Sequence, residues 1–243
     1  MKRMGAEQHG NWRVTAAAAL DWWIDAGVDT LVADDPRDWF GRVGAPAPTL
    51  PTPAADDRVD PDFPGDLPAF LAWRVGPSAP EAAWPGPRFA PHGPVDAPLV
   101  VFTDHPDADD RDGEILTGAA GRLFDAMLRA IGRSRQNTLV VPLCWTRPLG
   151  DHLSVEQVDR LGRLAQHHLA LLPAKHALLL GQSVSRAFVG ADAPARWGRL
   201  RTLNPNDRIV SAIGVPHPRL LLQRRHFKAE TWQDLQLLAG GFE

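Results

Sequence analysis

The chain carries one cysteine, Cys144. A lone thiol forms no intrachain disulfide and builds no multi-cysteine zinc or iron–sulfur centre, each of which needs several thiolates. Long apolar runs are also missing: none approaches the roughly 18 residues of a membrane-spanning helix. The first residues, MKRMGAEQH, lack the apolar core of a secretory signal. These absences lead to the expectation of a cytoplasmic protein with no membrane partner. Internal repeats are absent as well. Positive charge is scarce over residues 1–118, which hold 9 Lys/Arg against 20 Asp/Glu, and abundant over residues 119–243, which hold 17 against 9. Fifteen of those 17 cations are arginine, whose planar fork suits phosphate. The basic half either tracks a polyanion or simply reflects a chain rich in arginine.

What is present reads as one core with an appendage. Hydrophobic residues make up 44% of the 243, enough for a single sizeable domain. Near the start, RVTAAAALDWWIDAG has a capping Thr15, a run of alanines, one apolar face (Leu20, Trp23, Ile24) and a terminating Gly27, which together predict a helix. A second short helix is expected from Pro36. Residues 45–98 contain 14 of the 23 prolines, the composition of a linker or an extended wrapping segment, with one helix expected near Asp66–Trp73. After Pro98 four apolar runs appear: Leu99–Thr103, Thr138–Leu143, His176–Gly181 and Ile209–Gly214. Unbroken runs of this length suit strands buried on both faces. Helical stretches alternate with them at Ala119–Ile131, Ser154–Leu172, Ser183–Val189 and 229–238. The reading is an N-terminal helical and Pro-rich extension over 1–98, followed over 99–243 by a three-layer α/β/α domain around a four-stranded parallel sheet. Its functional groups are expected at the strand C-termini.

Those strand ends carry a resemblance. The stretch VVFTDHPDADDRDGEILTGAAGRLFDAMLRAIG is similar to the first strand, acidic loop, glycine motif and amphipathic helix of the family-four (iron–sulfur) uracil-DNA glycosylases, where a G-E-A-P-G loop precedes an E-D pair and G-x-P-F-V-G-x-A-G. Asp104 falls on the loop Glu and Pro106 on its Pro. Asp109 and Asp110 fall on the acidic pair, and Gly118, Ala120 and Gly121 on the glycine motif. Arg147 and Pro148 match a following C-R-P-P. LLPAKHALLLGQSVSRAFVG resembles a later family segment, and His217, Pro218, Leu220 and Leu221 match its H-P-S-x-L-L loop. The likeness spans roughly 140 residues in the family's order. It implies a DNA partner, base-excision chemistry and a monomer. The cluster cysteines of that branch have no counterpart: Thr146 and Leu161 stand at two of the positions. The implied cofactor state is therefore none, with no iron–sulfur cluster and no metal.

Two further departures touch the base pocket. Leu116 stands where the family has a stacking Phe, and Pro142 where it has a base-reading Asn. Leucine lacks the flat face that makes base stacking favourable by about 1–3 kcal/mol, and proline offers no side-chain polar group. Either other residues supply the edge contact, or the pocket reads another base, or the site is inactive; His105 and Asn204 are available substitutes.

Breaking an N-glycosidic bond leaves positive charge on the sugar and negative charge on the base. An anion near the sugar, a donor near the base and an acceptor for water are the groups to look for. By this reading Asp104, Asp109 and His217 are the catalytic candidates, and His105 and Leu116 the substrate-binding ones. Arg219, Leu220, Arg224 and Arg225 form the DNA-binding set, in which a leucine wedges into the duplex and the arginines hold phosphates. Plainer readings stand beside these: a solvated acidic loop over 104–112, a structural histidine, and a core-facing leucine run. The functional expectation is a glycosylase acting on a deaminated base in DNA. The alternative is a catalytically degenerate DNA-binding or interaction protein of the same fold.

Overall fold

The computed structural model describes residues 63–242, except 112, 191, 192, 194, 195 and 197. The two helices expected before residue 45 lie outside the described residues.

Strands β1 (Leu99–Thr103), β2 (Thr138–Pro142), β3 (His176–Leu180) and β5 (Val210–Val215) are mutually parallel, and β4 (Arg201–Leu203) runs antiparallel to β5 at one edge. The order is β2-β1-β3-β5-β4. Helices follow as α1 (Leu67–Val75), α2 (Ala119–Ala130), α3 (Val155–Leu171), α4 (Gln182–Val189), α5 (Pro218–Gln223) and α6 (Phe227–Ala239). Every residue of β1, β2 and β3 is buried, as a sheet covered on both faces requires. Alternation along β1 divides the core: Val100 and Phe102 join Phe70, Leu161 and Leu169 on one face. Leu99 and Val101 join Phe124, Leu128 and Leu235 on the other. This is the α/β/α sandwich expected from the pattern.

The expectation of four strands is corrected to five. Strand β4 is a three-residue Arg-Thr-Leu segment with intermediate or exposed residues, so it carries none of the apolar signal of the interior strands. The six-residue helix α5 likewise stands where the resemblance implies a loop.

Helix placement follows local chemistry. Asp66 caps α1 by accepting from the Ala69 N–H at 2.9 Å. Ser154 and Gln157 form a reciprocal capping box that starts α3. From α1 the chain runs along the β2 edge of the sheet, where His92 and Val140 exchange two backbone hydrogen bonds of 2.9 and 2.8 Å and shield an otherwise open edge. A buried ion pair ties this segment to the β2 exit: Arg74 holds Glu81 at 2.7–2.8 Å, donates to the Leu143 carbonyl and lies over the Trp145 ring. Glu81 in turn accepts from the Trp145 N–H.

Candidate active site

The first and last parallel strands deliver the key groups. β1 ends at Thr103 and leads into Asp104; β5 ends at Val215 and leads through Pro216 into His217. β3 lies between them, so the two exits are separated by two strand spacings, about 10 Å. The gap is bridged above Gly181, which follows β3 at φ +94. A Cβ at Gly181 would touch the His217 Cβ at 3.4 Å, and the left-handed backbone there favours glycine. His217 reaches across this small residue to place Nε2 2.9 Å from Thr103 Oγ1 and 3.5 Å from Asp104 Oδ1.

The hydrogen bonds assign the imidazole tautomer. His217 caps α5, its Nδ1 accepting from the Arg219 backbone N–H at 3.1 Å. The neutral ring therefore carries its proton on Nε2, pointing at Thr103 and Asp104. Burial pushes the ring pKa down to about 4; the nearby Arg219 charge adds to this, and Asp104 opposes it. For Asp104 burial acts upward, but the His217 ring, the Arg219 guanidinium and His105 together hold the carboxyl below its ordinary value. The Asp104 carboxylate accepts the His105 N–H at 2.8 Å and Arg219 Nη2 at 2.5 Å. At neutral pH the pair is thus an anionic carboxylate beside a neutral N–H donor.

The other candidates fall in different places. Asp109 is exposed, its carboxylate lying against Gly118 so closely that any Cβ there would overlap it. Asp110 is spent on the loop itself, accepting from the Asp107 N–H, the Thr117 N–H and the Thr117 hydroxyl. Oxygens of Asp107, Asp109 and Asp110 lie within 4.8 Å of one another; Asp110 is bonded within the loop and Asp107 to Arg219. His105 is buried, with Nδ1 3.0 Å from the Pro106 carbonyl. Leu116 is 2% exposed and packs in the core with Phe89 and Phe124; its φ of 57 is strained for a branched side chain. The core, not an open pocket wall, holds that side chain.

The basic segment divides. Arg224 and Arg225 are exposed, Leu221 is buried, Leu220 is half-buried, and Leu222 is 40% exposed. Leu222 is thus the apolar side chain that α5 offers to solvent, in place of the expected Leu220. Arg219, expected on phosphate, turns inward: its guanidinium bridges Asp104 and Asp107. Sequence reasoning missed this role because the partners lie more than 100 positions away; the signal was the acids at 104 and 107 on the opposite exit of the same rim.

A search of curated proteins finds no match. The family model described as the uracil DNA glycosylase superfamily matches residues 90–236, a stretch that includes β1 to β5 and both site-bearing exits. With most of the chain so matched, and a mostly parallel α/β/α sheet joining Asp104 to His217 at one rim, the chain belongs to the uracil DNA glycosylase superfamily.

Proposed function

We propose that this protein is a DNA N-glycosylase that hydrolyses the bond between deoxyribose and a deaminated base. The observation carrying this reading is the pairing of an anionic Asp104 with a neutral, Nε2-protonated His217 across the top of β3. In the reaction the C1′–N bond breaks and its electron pair leaves with the base. His217 Nε2–H, directed at Thr103 and Asp104 in the free protein, turns to donate a hydrogen bond to the base oxygen where negative charge grows once the base is seated. Asp104 stabilises the positive sugar and takes a proton from the water that attacks C1′. The base must be extruded from the duplex to reach this rim. Arg224 and Arg225 supply phosphate contacts and Leu222 an apolar contact with the duplex.

Within the superfamily we place the chain beside the family-four branch, on the order of its motifs. The donor set does not fit that branch's cluster. Four thiolates are needed, and the sole thiol, Cys144, is buried, donates to the Thr146 carbonyl at 2.7 Å and has its pKa pushed up to about 12, mainly by burial. The buried Arg74–Glu81 pair and Trp145 brace the β2 exit instead. A monomeric, cytoplasmic repair enzyme is the reading that follows.

The second reading, a DNA-binding protein without base release, is favoured by Pro142, which ends β2 without a side-chain amide. Oligonucleotides carrying uracil, hypoxanthine or xanthine separate the two. The glycosylase reading expects alkali-sensitive cleavage with at least one of them, lowered on the order of 10²-fold by His217→Ala. Salt-dependent binding with no cleavage of any substrate supports the second reading and rejects the first.

A further inference from the structure

We propose that Arg219 is the positioning residue of the Asp104–His217 pair and not a phosphate contact. It touches both members and the acid beside them. Its backbone N–H donates to His217 Nδ1 and fixes which nitrogen bears the proton. Its guanidinium holds Asp104 Oδ2 at 2.5 Å through Nη2 and Asp107 Oδ1 through Nη1. The side chain is 30% exposed. Arg224 and Arg225, a few residues on, are exposed and have no carboxylate partner among the described residues.

The charge arrangement explains why an arginine is suited to this place. Asp104 and Asp107 leave the same strand exit, and the field of each opposes ionisation of the other. A planar fork placed between them satisfies both at once, which a point charge on a flexible stem does less well. Moving the guanidinium out to a phosphate would leave two half-buried neighbouring carboxylates without their shared cation. It would also free the acidic loop from α5, and with it the registry between Asp104 and the imidazole. The groups facing the pair are Thr103, His105, Asp107 and Asp110 from the β1 exit, Cys144 from the β2 exit and Arg219 from α5. Arg147 and Asp151 of the β2 exit loop bind each other in a bidentate pair. Arg219 is therefore the one cation bonded to Asp104 among the described residues.

Two arms test the proposal, and only the kinetic readout rests on the glycosylase reading. The first is NMR titration of the His217 ring in wild type, Arg219→Gln and Arg219→Lys. The proposal expects Arg219→Gln to raise the midpoint, since a cation that disfavours the charged ring is gone, and Arg219→Lys to restore it in part, a point charge replacing the fork. The second measures the salt dependence of binding to a duplex carrying an abasic analogue. Arg219→Gln is expected to leave the slope of log K against log salt unchanged, whereas Arg224→Gln lowers it by about 1. With an active wild type, Arg219→Gln should also lower kcat on the order of 10²-fold with KM nearly constant, as misplacement of a reacting group does. An unmoved His217 midpoint in Arg219→Gln overturns the proposal, as does a slope reduced by about 1. Should Arg219→Gln fail to fold, Asp107→Asn, which removes one anchor of the fork, must shift the His217 midpoint; no shift overturns it. Wild type that never releases a base removes the glycosylase reading and leaves the titration arm standing.

Discussion

Replacing Glu81 by Gln should be among the most destabilising single changes in the domain, although Glu81 lies far along the chain from the site residues. Arg74 and Glu81 are 2% and 0% exposed, and their charged atoms meet at 2.7 and 2.8 Å. The pair is also committed outward: Arg74 to the Leu143 carbonyl and the Trp145 ring, Glu81 to the Trp145 N–H. Neutralising one partner leaves a buried guanidinium without its counter-charge. Breaking such a pair from one side costs about 3–5 kcal/mol, a large share of the roughly 5–15 kcal/mol that holds a domain together. For a domain of this size about 1 kcal/mol moves Tm by roughly 2–4 °C, so the expected fall is about 6–20 °C. The double replacement Arg74→Met with Glu81→Leu removes both charges and should recover much of the loss, because an apolar pair of similar volume carries no desolvation penalty. Thermal and urea unfolding of wild type and the two variants reads this directly. A Glu81→Gln midpoint within about 2 °C of wild type, the shift expected of only roughly 0.5–1 kcal/mol, would refute the reasoning, as would a double variant less stable than Glu81→Gln.

Three other outcomes follow from the same structure. His168 packs against Phe70 with ring centroids 5.3 Å apart, and burial lowers its pKa to about 3. His168 and His217 both stay neutral in the fold where the unfolded chain protonates near 6.5. Their contribution is complete above about pH 6.5 and shrinks as pH falls toward 4 and 3, so Tm should decline across that window and His168→Leu should flatten the decline; a Tm independent of pH from 6.5 to 4 contradicts this. Cys144, fully buried with its thiol pKa pushed up to about 12, should resist thiol reagents at pH 8 until the protein unfolds, and stoichiometric labelling of folded protein would count against its placement. Gly181→Val should destabilise the chain at its φ of +94 and displace His217; a variant with unchanged stability and an unchanged His217 resonance would show that the bridge over β3 is not built as described.

Much of this arrangement is readable from residue order. Buried strands announce themselves as unbroken apolar runs, and Leu99–Thr103 emerges with the bounds its composition implies. Once four such runs alternate with helices, parallel pairing follows, and Asp104 and His217 must exit on the same side because each directly follows a strand of the same sense. What stays hidden depends on contacts that no periodicity encodes. Arg219 sits in PRLLLQRRHFK, where an arginine looks like one more surface cation, and only the geometry of Asp104 and Asp107 turns it inward. Leu116 reads as a pocket residue by its place in a motif, yet its side chain belongs to the core. The Arg74–Glu81 pair lies in Pro-rich sequence whose composition suggests an irregular strap and says nothing of a buried charge. Strand β4 is too short and too polar to signal itself.

In the proposed reaction Asp104 acts as the anion and water-activating base opposite His217. Single-turnover base release by wild type and Asp104→Asn on the best deaminated substrate, with duplex binding measured alongside, tests it most directly. Asp104→Asn should bind the duplex as well as or more tightly than wild type and release the base on the order of 10²-fold more slowly, a typical general-base loss. Equal rates for the two proteins would contradict it.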